Sequence, residues 1–168
     1  IIIEYDSKEK DLELNYLDKN SQLEERFSLK SKELEDKLKE ANLKVIVHII
    51  NGLPNESEDM MIETAKFLNQ LPIDGIKIHM LHLMVDTPLG ALYQEKPFPL
   101  LSLKEFVKIT VNQLRHLNDN IIIHRLTGDA PRNLLIEPIW TLKKFVVINE
   151  IDKLMRQNNF FQGDLIKK

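Results

Sequence analysis

One stretch of nine residues, HRLTGDAPR at positions 124–132, concentrates side chains that could bind an anion. It contains the imidazole of His124, the guanidinium of Arg125, the hydroxyl of Thr127 and the carboxylate of Asp129. Arginine binds carboxylates and phosphates through parallel hydrogen bonds, so an anion site is one interpretation. A salt-bridged turn is the other, and both stay open at this point.

Three histidines, His48, His79 and His124, lie in segments predicted to be β-strands. Side chains alternate between the two faces of a strand, and this spacing allows all three to lie on one side of a sheet. They are either candidates for substrate contact or hydrogen-bonded core residues. We predict no metal site, because no Asp or Glu on these strands completes a ligand set. His82 follows His79 by three positions, which predicts opposite faces of a strand and argues against a ligand pair.

The tripeptide Gly52-Leu53-Pro54 follows the first predicted strand. Glycine allows the backbone to approach a flat ligand closely, and proline fixes the turn. The same tripeptide is also typical of an ordinary turn.

Three apolar segments rich in β-branched residues, at positions 44–50, 76–81 and 120–126, predict buried strands. Helical patterns lie between them, and this alternation predicts a parallel α/β sheet. Ligands bind such sheets beyond the carboxyl ends of the strands. The tripeptide and the stretch at 124–132 are both expected at that edge.

Capping boxes mark the starts of two helices. Asn55 with Glu58, and Ser102 with Glu105, have the three-residue spacing of this motif. The apolar pattern predicts another helix over residues 141–157.

Two stretches are predicted to be irregular. Residues 86–90, DTPLG, combine turn-forming types, and residues 95–100, EKPFPL, contain two prolines.

Residues 1–42 are charged and predicted to be helical, and we assign them to a segment separate from residues 43–168.

Length and composition fit one ordinary hydrophobic core, with 168 residues of which 43% are hydrophobic. The formal net charge of -3 provides no basic field, so a nucleic-acid partner is not indicated.

We expect a cytoplasmic protein without membrane association, since no apolar run approaches the roughly 18 residues of a span and no signal-peptide pattern is present. The sequence contains no cysteine, which excludes disulfides, thiolate nucleophiles and cysteine-ligated clusters within these residues.

Residues 43–93 and 121–155 together resemble the radical S-adenosylmethionine (SAM) proteins of the YhcC-like group, which is related to the Elongator-type and oxygen-independent coproporphyrinogen-oxidase-type branches. The most specific part is HRLTGDAPR, followed by Leu134-Leu135 and Pro138-Ile139-Trp140. The resemblance implies half of a partial (β/α)6 barrel with a carboxyl-terminal helical segment.

The resemblance also implies positions for a cofactor and a substrate, although the catalytic residues stay unknown. Gly52, Leu53 and Pro54 would lie beside the adenine of SAM, and Ile78 and His79 would flank the cofactor on the next strand. The candidates for the substrate side are His48, His124, Arg125, Thr127 and Asp129.

In radical SAM enzymes a [4Fe-4S] cluster donates an electron to SAM, and the resulting 5'-deoxyadenosyl radical abstracts hydrogen from a substrate, which the resemblance does not identify. The family's Cys-x3-Cys-x2-Cys loop is absent here, so this chain alone would not be catalytically competent. Asn55-Glu56 also stands where the family has a second glycine and an acidic residue.

Two other classes of function stay open. A non-catalytic α/β binding or interaction domain would have lost the cluster loop. Its open sheet edge would then need a partner, which would be the missing amino-terminal half or a second copy of the chain. A mononuclear metal hydrolase that uses the strand-end histidines is the third alternative.

Overall fold

The computed structural model describes residues 26, 29–30, 32–34, 36–38 and 40–166. The chain divides into two compact units, Ile1–Leu43 and Lys44–Lys168. In the first unit the described residues from 26 to 40 are helical, and the rest of the predicted amino-terminal helix lies outside the described residues.

The second unit contains a parallel sheet, as the sequence predicted. Its strands β1 (Ile46–Asn51), β2 (Gly75–Met80) and β4 (Ile122–Arg125) lie in the order β1-β2-β4, and both pairings are parallel. Two short strands that the sequence analysis did not predict, β3 (Leu83–Met84) and β5 (Leu135–Glu137), pair in antiparallel fashion.

The helices of this unit are α1 (Glu58–Leu68), α2 (Pro88–Glu95), α3 (Leu103–His116) and α4 (Lys144–Gln157). The last predicted helix begins later than expected, because residues 139–142 form a separate 3-10 turn, Ile139–Leu142. None of the helices in the described part of the chain has the length and hydropathy that a membrane span requires.

One of the two predicted capping boxes is confirmed. At the start of α3, Glu105 N donates to Ser102 Oγ over 3.3 Å, and Ser102 N donates to a Glu105 carboxylate oxygen over 2.8 Å. The prediction for α1 was wrong: Ser57 is its cap and accepts from the backbone N–H of Met60. Asn55 instead has a φ of 64° and belongs to the preceding turn.

The predicted loop at residues 86–90 is also wrong, because α2 begins within it. Thr87 is the cap and its hydroxyl accepts from Gly90 N over 3.1 Å, while Pro88 occupies the first turn of the helix. Threonine and proline favour helix starts as well as turns, which explains the error. Residues 96–100 are irregular, as expected.

Helices α1, α3 and α4 cover one face of the sheet. The core cluster contains Ile76, Ile78 and Met80 of β2, which are at most 2% exposed. The opposite face carries exposed apolar side chains among the described residues, with Ile50 48% and Ile122 61% exposed. We term this second face the uncovered face.

A buried pair of side-chain amides ties the end of β1 to helix α3. Asn51 donates to Gln113 over 2.7 Å, and Gln113 donates back to Asn51 over 2.9 Å. Gln113 also donates to the carbonyl of Met61 in α1, again over 2.9 Å. Because both side chains are at most 2% exposed, each amide depends on the other for its hydrogen bonds.

We expect Gln113→Leu to lower the free energy of unfolding by about 2 kcal/mol or more, since it leaves the Asn51 amide buried without partners. Lys104→Ala, at an exposed position of the same helix, should change it by less than about 0.5 kcal/mol. Urea denaturation of both variants and of the double variant Asn51→Leu/Gln113→Leu provides the measurement. The two replacements should cost less together than the sum of the single ones; strict additivity would contradict this account.

Candidate functional site

The carboxyl ends of the three parallel strands meet at one edge of the sheet. The segment 52–54 follows β1, His82 lies just after β2, and residues 126–129 follow β4. Parallel sheets bind ligands at this edge, where the backbone leaves the sheet and exposes its polar groups. Two of the stretches singled out in the sequence therefore lie at the same edge.

The turn after β1 has a backbone conformation that favours glycine and is fixed by a nearby carboxylate. Gly52 adopts a φ of 88°, which side chains with a Cβ rarely tolerate. The carboxylate of Glu56 accepts from Gly52 N over 3.0 Å and from Leu53 N over 3.1 Å, and so fixes the turn. The side chain of Leu53 is 44% exposed and offers an apolar surface beside this backbone.

Trp140, the last residue of the Pro138-Ile139-Trp140 segment, supports this turn from behind through Leu101. A Cβ on Gly52 would lie 3.0 Å from a methyl carbon of Leu101. The indole N–H of Trp140 donates to the carbonyl of Leu101 over 2.9 Å, and the indole packs on Phe106 with ring centroids 5.5 Å apart. Trp140 thereby holds Leu101 against the Gly52 turn.

All three strand histidines lie on the uncovered face. The rings of His48 and His79 stack with centroids 5.5 Å apart and an angle of 18° between their planes. The ring of His124 lies 2.5 Å from the position that a Cβ of Gly75 would take, on the side of β2 that alternates away from the core. A larger residue at position 75 would displace that imidazole.

An irregularity in the pairing of β2 with β4 adds Arg125 to this surface. Ile76 pairs with Ile123, but Lys77 pairs with Arg125, so His124 is the extra residue of a bulge. Arg125 forms an ion pair with Asp129, whose carboxylate also accepts from Lys144 over 3.1 Å. The salt-bridged turn predicted as one alternative is therefore present.

His79 and His82 lie together, contrary to the expectation that they occupy opposite faces of a strand. β2 ends at Met80, so the alternation stops before His82. A Cβ on Gly128 would lie 2.5 Å from the ring of His82 and 3.4 Å from Nδ1 of His79. Both rings thus pack against the glycine, whose N–H donates to the sulfur of Met80 over 3.0 Å.

The surroundings of His79 and His82 lower the pKa of both imidazoles and so favour their neutral forms. Burial lowers the pKa of His79, and the positive charges of His48, Arg125 and Lys77 lower it further. Burial also lowers the pKa of His82, with His79 as the second cause. The buried Nε2 atoms of both rings have no hydrogen-bond partner among the described residues.

Two of the sequence candidates are buried. Ile78 is fully buried in the core beneath the helices, and Thr127 is only 3% exposed. Within the described residues, no group of three or more His, Cys, Asp or Glu side chains is placed to hold a metal ion. Sequence reasoning missed Lys77, although a charged residue within an apolar strand was a visible signal.

Comparison with known proteins supports a common origin for this region. Residues 73–157 match the family model described as the Radical_SAM C-terminal domain. The chain is similar to the uncharacterised protein YtqA of Bacillus subtilis, with 39% identity over 133 residues that cover 79% of this chain and 41% of YtqA. It is also similar to the uncharacterised protein MJ0486 of Methanocaldococcus jannaschii, with 31% identity, covering 72% of this chain and 38% of MJ0486.

The protein YhcC of Escherichia coli is 25% identical over 120 residues, which cover 71% of this chain and 39% of YhcC. The chain thus spans about two fifths of the length of these relatives. Among solved structures, the archaeal Elp3 of Methanocaldococcus infernus with an amino-terminal deletion superposes with a TM-score of 0.65 and 19% identity. That match covers 74% of this chain and 29% of Elp3, and it shows a shared fold.

We predict that His79 and His82 titrate below the ordinary pKa of 6.5, because burial disfavours the imidazolium. The unfolded chain then binds protons more readily than the folded one at these sites. The free energy of unfolding should therefore fall as the pH is lowered from 6.5 through the folded-state pKa values. Ring resonances in an NMR titration, assigned with His79→Gln and His82→Gln, measure both values; a pKa of 6.5 or higher for either would contradict the prediction.

Proposed function

Because this chain belongs to the family of the Radical_SAM C-terminal domain, within the YhcC-like group, we propose that it is the carboxyl-terminal part of a cytoplasmic enzyme that uses SAM and a [4Fe-4S] cluster. The observation that carries the proposal is the Gly52-Leu53-Pro54 turn at the carboxyl end of β1. In the proposed role this turn contacts the adenine of SAM, and the strand that carries His79 flanks the cofactor.

The residues of the turn fit such a ligand. Leu53 presents an exposed apolar side chain, which could pack against a flat aromatic ring. Glu56 occupies the two N–H groups of the turn, so the adenine would be held by apolar contact and by shape rather than by these donors.

The cluster does not fit the residues of this chain. Its iron atoms need thiolate ligands, and the sequence contains no cysteine. The ligands would therefore come from outside these 168 residues, consistent with a chain that spans about two fifths of its relatives' length. When both are bound, SAM and the cluster would supply a radical that abstracts hydrogen from the substrate.

In this proposal the chain's own residues bind and orient the reactants. The uncovered face, with His48, His124 and Arg125, lines the substrate side. Asp129 holds Arg125 in place, and the pKa of its carboxyl is lowered by hydrogen bonds from Lys144 and Arg125, which favours the charged form. His79 and His82 favour the neutral form, and their buried Nε2 atoms have no hydrogen-bond partner among the described residues.

A second candidate is a non-catalytic interaction domain, and the exposed Ile50 and Ile122 on the uncovered face favour it. β1 and β4 are the outer strands of the described sheet, and each has one edge without a neighbouring strand in that sheet. The partner would be an amino-terminal half like that of the longer relatives, or a second copy of the chain. The same face would then be an interface between chains and not a substrate site.

In the intact native protein, reconstituted with iron and sulfide, we expect Leu53→Ser to weaken SAM binding about tenfold, since the apolar contact with the adenine is lost. Leu92→Ser removes a leucine of similar exposure, 49% against 44%, from helix α2 and should leave SAM affinity unchanged. Calorimetric titration measures the affinity, and chromatography of 5'-deoxyadenosine measures SAM cleavage. Equal affinity of the Leu53 variant and the parent would contradict the adenine assignment, and no SAM cleavage by the parent would favour the interaction domain.

A further inference from the structure

We infer that the uncovered face binds an anionic group, a carboxylate or a phosphate, through Lys77 together with His48 and Arg125. This inference rests on the proposed function in one respect, namely that the ligand is the substrate of the proposed enzyme. The binding site itself depends only on the arrangement of side chains described here. The chemical class of the ligand follows from three features of that arrangement.

The first feature is a row of nitrogen-bearing side chains across the sheet. In the register of the parallel strands, His48 of β1 pairs with Lys77 of β2, and Lys77 pairs with Arg125 of β4. Register partners project from the same face, and neighbouring strands are about 4.8 Å apart. Two adjacent members of the row are therefore close enough to contact the oxygens of one carboxylate or phosphate.

The second feature is an excess of positive charge that the surrounding residues do not balance. Like charges on directly opposite residues of neighbouring strands destabilise a sheet. The Lys77 side chain forms no ion pair or hydrogen bond with any described residue. Asp129, the carboxylate near the row, is shared between Arg125 and Lys144 and does not neutralise both.

The third feature is the contrast with the chain as a whole, whose formal net charge is -3. The charged groups that act on the pKa of His79 illustrate the local field: His48, Arg125 and Lys77 lower it, and Asp129 alone raises it. A bound anion would compensate this field and relieve the repulsion within the row. The surface is open on the side away from the helices, since His48 and His124 are exposed.

The site is tested by titrating the full chain with inorganic phosphate and, separately, with acetate, at constant ionic strength set by chloride. The ring resonances of His48, His79 and His124 report binding by NMR. We expect saturable shifts with at least one of the two anions and a rise in the pKa of His79 on binding. Lys77→Met should weaken that affinity about tenfold, because a charged hydrogen bond is lost, whereas Lys77→Arg should retain it.

Lys104→Met, an exposed lysine on α3, is the matched control and should bind as the parent does. Thermal unfolding of each variant establishes that Lys77→Met is folded; if it is not, Arg125→Gln replaces it with the same expected loss. Saturation by phosphate alone or by acetate alone would support the site and identify which anion it takes. Linear, non-saturating shifts with both anions, or equal affinity of Lys77→Met and the parent, would overturn the inference. The titration needs neither SAM nor a cluster, so its failure is distinguishable from failure of the proposed radical chemistry.

Discussion

The reciprocal hydrogen bonds between Asn51 and Gln113 are the constraint on which the site depends. They fix the last residue of β1 to α3, and the next residue, Gly52, begins the turn proposed to contact the cofactor. Neither amide has access to water, so the pair holds its geometry only when both partners are in place. The backbone of Asn51 adds a further link, because its carbonyl accepts from Leu81 N beyond the end of β2.

The Pro138-Ile139-Trp140 segment has a structural role at the same turn. Trp140 holds the Leu101 carbonyl, and Leu101 fills the space where any side chain at position 52 would lie. The glycine is thus required by packing from behind as well as by its positive φ. A segment far along the chain in this way shapes the turn after the first strand.

The sequence was sufficient for the parallel sheet and for the region of the site, because apolar β-branched runs and helical periodicity are local signals. It was insufficient where one residue pattern is compatible with two local structures and tertiary packing selects between them. Thr87-Pro88 starts a helix rather than a loop, and Ser57 rather than Asn55 caps α1. The contact between His79 and His82 depends on where β2 ends and on the position of Gly128, neither of which is encoded in residue spacing.

If these residues are the cofactor-flanking part of a radical SAM enzyme, as we propose, the native coding sequence upstream of Ile1 should supply the missing cluster ligands. We expect three cysteines with the spacing Cys-x3-Cys-x2-Cys in that upstream sequence, since the cluster ligands must lie outside the present chain. A native protein without such cysteines would contradict this proposal. The uncovered face would then serve an interaction domain, and radical chemistry of this kind would be excluded.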